Sequence, residues 1–398
     1  MHKLYSDYIF HDSGKILNNY GLILNESGKI LEILAENSFD KTEYQYYPGL
    51  LSPGFINAHC HLELSNMKGK IDTGIGLIPF ITSVVKFRNE EENIIQSAIK
   101  QADIEMYNNG IVAVGDISNK TDSIKTKKES KIKYYNFIEA FDFMQNHLSD
   151  NFYNEYLNVY NKFESLQKSF VPHASYSVSA SLFNKINNLN TNQNILSIHN
   201  QEIKDENDLF QNKSGGFPNF FESFGFSFKD FVAISKSAIH YPISQLHHEG
   251  NILFVHNTFS SEDDFAAAMK WNKNSYFVTC PNANLFIENR LPDYSLWKSI
   301  SKNICIGTDS LSSNWSLNIL EEIKTIVKYQ SSISLEEVFS WATINGASAL
   351  KMHDNLGSLS VNKSPGINWI EGIYINAQGK LSLDPNAKVK KKYSKTET

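Results

Sequence analysis

Short apolar runs recur along most of the chain, and longer amphipathic stretches of helical period separate them. From residue 54 onward, eight runs rich in Ile and Val have the length of buried strands. Strands that alternate with helices in this way predict a parallel sheet. The eight runs cover residues 54–61, 110–116, 131–139, 169–173, 194–199, 251–256, 275–280 and 303–309.

Eight strand and helix units within residues 51–355 predict an α/β protein whose main domain is a closed (β/α)8 TIM barrel. The active site of such a barrel lies at the carboxyl ends of its strands. An open, doubly wound sheet is the alternative, but no glycine-rich phosphate loop follows any of the runs. We therefore expect functional residues at the ends of the eight runs.

The two ends of the chain differ from this pattern. Residues 1–50 have the pattern of short strands joined by polar turns, with a hairpin turn at 25–28 between runs at 20–24 and 29–34. Residues 356–387 return to strand character. We expect these two segments to form one small β-sandwich module. The lysine-rich tail at 388–398 is expected to be solvated and disordered.

Composition and charge narrow the class of protein. The chain has 398 residues, 41% of them hydrophobic, a formal net charge of -6 at pH 7 and a pI near 6.1. This charge argues against a nucleic-acid binder and against a protein that binds acidic membranes. No signal-peptide core or membrane-spanning run occurs, and the widely spaced Cys60, Cys280 and Cys305 suit buried reduced thiols. We therefore expect a cytoplasmic protein without a membrane partner.

Four residues at the ends of the runs have the chemistry of a metal site. His59 and His61 are separated by one residue, so they share one face of a strand. His199 ends the fifth run, and Asp309 ends the eighth. Three imidazoles and one carboxylate suit one divalent ion, Zn²⁺ or alternatively Fe²⁺, and leave room for a water molecule.

Three further residues are candidates for the chemistry around such a metal. Glu202 follows His199 by three residues, where a proton donor and acceptor is needed. His256 ends the sixth run and is a candidate to hold the hydrolytic water or to polarise a substrate. His173 ends the fourth run and is a candidate for a hydrogen bond to the substrate.

Five motifs, together with the strand that ends at His256, carry a family resemblance. They are Pro-Gly-Phe-Ile-Asn-Ala-His-Cys-His at 53–61, Pro-His-Ala-Ser-Tyr at 172–176, His-Asn-Gln-Glu at 199–202, Cys-Pro-Asn-Ala-Asn-Leu at 280–285 and Gly-Thr-Asp-Ser-Leu-Ser-Ser-Asn at 307–314. In these motifs the chain resembles the amidohydrolase superfamily. The most similar branch holds cytosine-deaminase and chlorohydrolase-like enzymes and adenosine-type deaminases, such as those for S-adenosylhomocysteine and aminodeoxyfutalosine.

The resemblance implies a role for each matching residue. His59, His61, His199 and Asp309 would ligate one metal ion, and His256 and His173 would contact water or substrate. Glu202 would carry a proton to a ring nitrogen. Binuclear members hold a carboxylated lysine at the end of the fourth strand, and the run at 169–173 contains no lysine, so one ion is expected. A homodimer is a further family expectation.

The implied reaction is hydrolytic deamination of an aminated nitrogen heterocycle, with an adenosine-type nucleoside derivative as the first expectation. Metal binding lowers the pKa of water towards about 7, and the resulting hydroxide attacks the ring carbon. Asp309 accepts the proton, Glu202 protonates the ring nitrogen, and ammonia leaves. Two alternatives stay open. One is hydrolysis of a cyclic amide or of another C–N or C–Cl bond, and the other is a catalytically silent assembly protein.

Contacts to this small-molecule substrate are less constrained by the sequence. Ser310, Ser313 and Asn314, just past Asp309, either contact a ribosyl group or cap the next helix. Residues 62–80 and the long insertion between the fifth and sixth runs are expected to cover the pocket. The aromatic residues at 215–225 either stack on a planar heterocycle or pack the insertion against the barrel. Glu63 and Asp116 are strand-end carboxylates to which we assign no role.

Overall fold

The computed structural model describes residues 1–393. Its strands are β1 His2–Phe10, β2 Ile16–Leu24, β3 Ile30–Ala35, β4 Gln45–Pro53, β5 Phe55–Cys60, β6 Ile111–Ser118, β7 Lys133–Ala140, β8 Lys168–Pro172, β9 Leu196–Asn200, β10 Ile252–His256, β11 Ser275–Thr279, β12 Ile304–Ile306, β13 Ile367–Ile375 and β14 Leu381–Tyr393. Its helices are α1 Leu77–Phe87, α2 Glu92–Asn108, α3 Ile124–Glu129, α4 Ser149–Lys162, α5 Ala180–Leu189, α6 Lys204–Asn212, α7 Phe217–Ser223, α8 His240–Gln245, α9 Glu262–Trp271, α10 Pro281–Glu288, α11 Tyr294–Ile300, α12 Ile319–Tyr329, α13 Leu335–Ser340 and α14 Gly346–Ala349.

Strands from both ends of the chain form one six-stranded sheet, in the order β14, β13, β4, β1, β2, β3. β1 pairs antiparallel with β2 and parallel with β4, and β13 pairs antiparallel with β4. The hairpin turn predicted at 25–28 joins the antiparallel strands β2 and β3. Leu22, Leu51 and Ile367 belong to an apolar core of this sheet. The first and last segments of the chain therefore pair with each other, and β4 crosses the predicted boundary at residue 50.

The prediction of a disordered tail from residue 388 is wrong for its first part. β14 continues to Tyr393, and Lys390 pairs with Trp369 of β13. The ammonium groups of Lys390 and Lys392 lie 4.8 and 4.6 Å from the ring centre of Trp369. The lysine stems thus cover an aromatic surface while their charges lie near its ring, which favours an ordered strand. Residues 394–398, the rest of the predicted tail, lie outside the described residues.

Each of the eight predicted runs overlaps one strand, from β5 to β12. They form two four-stranded parallel sheets, ordered β5-β6-β7-β8 and β9-β10-β11-β12. Parallel bridges from Cys60 to Asp309 and from Ala174 to His199 connect the outer edges of one sheet to those of the other. The residues at the carboxyl ends of β5, β9 and β12 therefore lie close together.

The helices follow from apolar spacing and from capping residues. α12 buries Ile319, Ile323 and Ile326, which recur at helical spacing. Ser261 caps α9, because its hydroxyl accepts the N–H of Asp264 and its own N–H donates to the Asp264 carboxylate. None of the helices within residues 1–393 combines the length and the apolar composition that crossing a membrane requires.

The three cysteines are free and buried, as predicted. Burial raises the pKa of Cys60, Cys280 and Cys305 above the usual value of 9.0. The thiols are therefore protonated and behave as small apolar groups.

Candidate metal centre and its cavity

β5 brings two histidines to the same side of its carboxyl end. His59 and His61 are buried, and their Nε2 atoms are 3.1 Å apart. His199, near the end of β9, brings its Nε2 atom within 3.2 Å of the same atom of His61. Strand periodicity places the first two side chains on one face, and the pairing of the strands adds the third.

Asp309 completes the cluster from the turn after β12. Its backbone has a φ of 58°, and its N–H donates to the carbonyl of His59 at 3.1 Å. Oδ1 lies 3.3 Å from His61 Nε2 and 3.6 Å from His59 Nε2. Ser313 Oγ donates to Oδ2 at 2.5 Å. Asp309 therefore presents one carboxylate oxygen to the three histidines.

The four side chains fit a divalent metal ion. Their ligand atoms all lie within 4.8 Å of one another. Ligands about 2.1 Å from a tetrahedral ion are roughly 3.4 Å apart, close to the separations of 3.1 to 3.6 Å in this cluster. Burial lowers the pKa of His59 and His61 to about 4. Both rings are therefore neutral and available as ligands.

His199 is oriented through its other ring nitrogen. Nδ1 donates to the carbonyl of His173 at 2.9 Å, which turns Nε2 towards the cluster. Burial lowers the pKa of His199, but the carboxylate of Glu139, 3.2 Å from Nδ1, raises it more, to about 9. The ring is therefore a strong base, and a metal ion bound at Nε2 would take the place of a proton.

Glu202 and His256 lie beside the cluster. Glu202 Oε2 is 3.6 Å from His256 Nε2, and Oε1 has no hydrogen-bond partner within residues 1–393. Burial, and next the charge of Asp309, raises the pKa of Glu202 well above 4.5. His256 Nδ1 donates to Asn284 Oδ1 at 2.8 Å, and burial lowers the pKa of His256 to about 4. The pair thus consists of a protonated carboxyl and a neutral imidazole.

Glu202 and His256 line a cavity of about 270 Å³, together with His61, His199 and Asp309 of the cluster. Most of the remaining wall is apolar. The stretch from the end of β5 through α1 contributes Leu64, Leu77, Phe80, Ile81 and Val84. The insertion between β9 and β10 contributes Phe220, Phe221 and Phe224. Both segments cover the pocket, as predicted. Another aromatic residue of the insertion, Phe217, packs on Tyr176 with ring centres 4.1 Å apart.

The predicted substrate contacts have different outcomes. His173 and Ser310 line the cavity. Asn314 is 2% exposed, and its amide donates to the carbonyl of Thr308 at 2.7 Å and to Glu322 at 2.8 Å. The prediction of a substrate contact for Asn314 is wrong, because its side chain turns into the protein and ties the turn after β12 to α12.

The two strand-end carboxylates without an assigned role have protein partners. Glu63 binds Arg88 at 3.1 Å. Asp116 forms an ion pair with Lys127 at 2.5 Å, in which neither side chain is exposed. Asp116 also accepts the N–H of Leu62 at 2.8 Å. These residues therefore support the loop that follows the two histidines of β5.

Three residues of the cavity wall were missed by sequence reasoning, and Asn284 was found only as part of the motif at 280–285. Glu139, Phe141 and Phe143 line the cavity, and Asn284 orients His256. Glu139 ends the third predicted run, so its strand-end position was an available signal. Phe141 and Phe143 lie in the loop after β7, where the sequence has no periodic pattern that indicates a cavity.

The chain is similar in sequence to one protein family and to two named deaminases. Residues 50–395, which include the whole metal cluster, match the model of the amidohydrolase family. An adenosine deaminase of Helicobacter pylori is 28% identical over 374 residues, 89% of this chain and 88% of that protein. An aminodeoxyfutalosine deaminase of Nitratiruptor sp. is 27% identical over 333 residues, 81% of this chain and 79% of that protein.

A solved structure has the same fold over most of its length. It is the aminofutalosine deaminase of Helicobacter pylori in complex with methylthio-coformycin. The similarity has a TM-score of 0.77 at 26% sequence identity, and it covers 92% of this chain and 91% of that chain. The fold similarity therefore extends beyond the metal cluster to nearly the whole molecule.

Proposed function

The chain belongs to the amidohydrolase family, and we propose that it is a metal-dependent deaminase of an adenosine-type nucleoside derivative. The observation that carries this proposal is the buried Glu202, which lines one cavity together with His61, His199 and Asp309 of the metal cluster. A protonated carboxyl next to a metal site is suited to hydrolysis at a ring carbon that bears an amino group. Family membership confirms the predicted enzyme class, a hydrolase that acts on carbon–nitrogen bonds.

The proposal includes the finer features of the fold. In it, β5 to β12 form one closed (β/α)8 barrel within residues 51–355, and the parallel bridges at Asp309 and His199 support this closure. Segments 1–50 and 356–387 form one β module in this proposal, and the six-stranded sheet that they share supports their association. The β-sandwich arrangement of that module stays a prediction. The homodimer stays a prediction.

Zn²⁺ is the proposed ion, and Fe²⁺ is the alternative. Three imidazoles and one carboxylate are a donor set typical of zinc sites. The absence of lysine from the sequence 169–173 supports a single ion. When bound, such an ion lowers the pKa of water to about 7 and so supplies a nucleophile near neutral pH.

Asp309 and Glu202 divide the proton transfers in this mechanism. Asp309 accepts a proton from the attacking water, and Glu202 donates its proton to the ring nitrogen next to the reacting carbon. Burial raises the pKa of Glu202, whereas the neighbouring histidines hold the pKa of Asp309 below 3.8 despite its burial. Near pH 7 one carboxyl is therefore a donor and the other an acceptor. His256 Nε2 accepts a hydrogen bond from the water.

The reaction consumes one water and releases one ammonia. A C–O bond forms at the ring carbon, and the C–N bond to the amino group then breaks. The proton that Asp309 accepted passes to the leaving nitrogen. The ring keeps the proton from Glu202, and the water's second proton returns to Glu202, so the carboxyl is ready for the next cycle.

The wall of the cavity supports a nucleoside as the substrate. Flat side chains such as Phe220 and Phe221 suit contact with a planar purine ring. His173 and Ser310 are the proposed polar contacts. Two relatives are named adenosine deaminase and aminodeoxyfutalosine deaminase, and a structural relative holds methylthio-coformycin.

The test is ammonia release by the Zn²⁺-loaded or Fe²⁺-loaded protein from a panel of adenosine derivatives, guanine and cytosine. The Asp309→Asn variant serves as the blank. We expect release from at least one adenosine derivative and none in the blank. If the protein holds metal but releases no ammonia from any compound, cyclic-amide or C–Cl hydrolysis replaces the proposal. Substoichiometric metal after purification without chelators would instead favour a silent assembly protein.

A further inference from the structure

Glu206 is a fully buried carboxylate in the first turn of α6, four residues after the proposed proton donor Glu202. Its Oε2 accepts the N–H of Gln201 at 3.0 Å. Its Oε1 accepts the N–H groups of Glu202 at 2.7 Å and of Ile203 at 3.3 Å. Burying a carboxylate costs free energy unless hydrogen bonds compensate for the lost water. Here the compensating donors are three successive N–H groups of the turn that carries Glu202.

The backbone of this turn has a conformation that needs support. Gln201 has a φ of 46°, in the left-handed region that residues other than glycine seldom adopt. The turn leads from the end of β9, which carries the metal ligand His199, into α6. A carboxylate that binds the N–H groups of residues 201–203 with its two oxygens stabilises this conformation through charge-assisted hydrogen bonds.

The carboxyl group of Glu202 has few contacts that fix it within the protein. Oε1 has no hydrogen-bond partner in the described residues. Oε2 lies 3.6 Å from Nε2 of His256, which is too long for a good hydrogen bond. The position of this carboxyl in the cavity therefore depends on its backbone, and the backbone N–H of Glu202 makes the shortest of the three hydrogen bonds to Glu206.

We propose that Glu206 is a positioning residue, which fixes the turn of residues 201–203 so that Glu202 can transfer its proton to the substrate. This inference rests on the proposed function. Proton transfer needs donor and acceptor within about 2.6 to 3.2 Å of each other, so a small shift of the turn lowers its rate. Glu206 thereby acts on the proton transfer through Glu202, and not on the binding of the metal.

The experiment is a double-mutant cycle on ammonia release from the adenosine derivative that the wild-type protein deaminates. Glu206→Gln keeps the size of the side chain, but its NH₂ group cannot accept a backbone N–H. We expect kcat to fall by about 10-fold to 100-fold, with bound metal at the wild-type level and with little change in KM. In the Glu202→Gln background the same substitution should cause no further loss of kcat, because the proton donor is already absent.

Glu337→Gln is the matched control. Glu337 is the third residue of α13, as Glu206 is of α6, and its carboxylate accepts the N–H and the hydroxyl of Ser334 at the start of that helix. Its substitution removes a comparable contact at a helix start that is not part of the cavity wall. The control should therefore keep the wild-type kcat, even where its thermal stability falls.

Glu206→Asp is the second variant, used where Glu206→Gln does not fold. It keeps the charge, but its side chain is one methylene shorter and does not reach all three N–H groups. We expect it to lower kcat as well, and again only in proteins that retain Glu202.

The remaining outcomes separate two kinds of failure. A wild-type kcat in folded Glu206 variants overturns this inference alone. An equal loss of kcat with and without Glu202, or a loss of bound metal together with activity, also overturns it, because Glu206 would then act on the site as a whole. No ammonia from any nucleoside with the metal-loaded wild-type protein overturns the proposed function, and this inference with it.

Discussion

Asn284 accepts a hydrogen bond from Nδ1 of His256 at 2.8 Å. This contact fixes the proton on Nδ1 and leaves the lone pair of Nε2 directed to the cavity, 3.6 Å from Glu202. His256 itself has a φ of 72°, so its orientation depends on local contacts rather than on a relaxed strand end. Asn284 is therefore a positioning residue for the catalytic pair.

Asn284→Ala should lower kcat by about 10-fold or more, because the ring of His256 loses its fixed tautomer and orientation. Metal content should stay at the wild-type level, since Asn284 has no contact with the cluster in the described structure. Steady-state ammonia release and metal analysis of the same sample check this. Asn282→Ala is the control: it lies on the same helix but binds Glu322, so it should reduce thermal stability more than kcat.

Glu202→Gln should lower kcat by about 10²-fold or more while the protein keeps its metal. The amide preserves the size of the side chain but cannot donate a carboxyl proton to the ring nitrogen. Turnover and bound metal are measured on the same preparation. Glu262→Gln, an exposed substitution in the first turn of α9, is the control and should have wild-type activity. Normal turnover in Glu202→Gln would eliminate the proposed proton donor.

Much of the fold and of the metal cluster was predictable, because it depends on the local periodicity of side chains and on the way that parallel strands pair. The eight apolar runs predicted the strands, and the spacing of two residues placed His59 and His61 on one face. His199 and Asp309 were found because parallel strands bring their carboxyl ends together. Side-chain alternation along a strand and the common edge of parallel strand ends hold in any parallel sheet, so the sequence was enough to predict these four residues.

The remaining features depend on the direction of side chains in loops. Asn314 follows Asp309 closely in sequence, yet its amide turns back to the carbonyl of Thr308. Phe143 and Met144 have φ values of 55° and 61°, a conformation that their sequence does not indicate. The position of Phe143 in the cavity wall therefore comes from tertiary contacts, including its stacking on Phe226 at 4.2 Å.

Lys127→Met should destabilise the protein by about 3 to 5 kcal/mol, because Asp116 is left as a buried, unpaired charge. The two groups are 2.5 Å apart, and neither side chain is exposed. Urea denaturation measures the change in the free energy of unfolding. Lys128→Met is the matched control, since its ion pair with Glu164 is 3.8 Å long and exposed; its loss should cost less than about 1 kcal/mol. A similar decrease in the free energy of unfolding in both variants would show that burial does not make the ion pair of Lys127 and Asp116 more important for stability than an exposed one.

The last prediction concerns Asp142, whose carboxylate fixes the loop that carries Phe143. Its oxygens accept the N–H of Ser179 at 2.8 Å and the hydroxyl of Ser179 at 2.5 Å. Burial raises the pKa of Asp142 from 3.8 to about 6 despite these bonds. Between these values the folded protein holds a proton that the unfolded chain has lost, so the free energy of unfolding falls as the pH rises through this window.

Two pKa units correspond to about 3 kcal/mol. Asp142→Asn removes the titration, so its free energy of unfolding should rise relative to wild type by up to about 3 kcal/mol between pH 4 and pH 7. Urea denaturation of both proteins at pH 4, 5, 6 and 7 measures this difference, and titrations shared by the two proteins cancel in it. A difference that is constant over the whole range would show that Asp142 is ionised in the folded state throughout. Its two hydrogen bonds to Ser179 would then outweigh its burial.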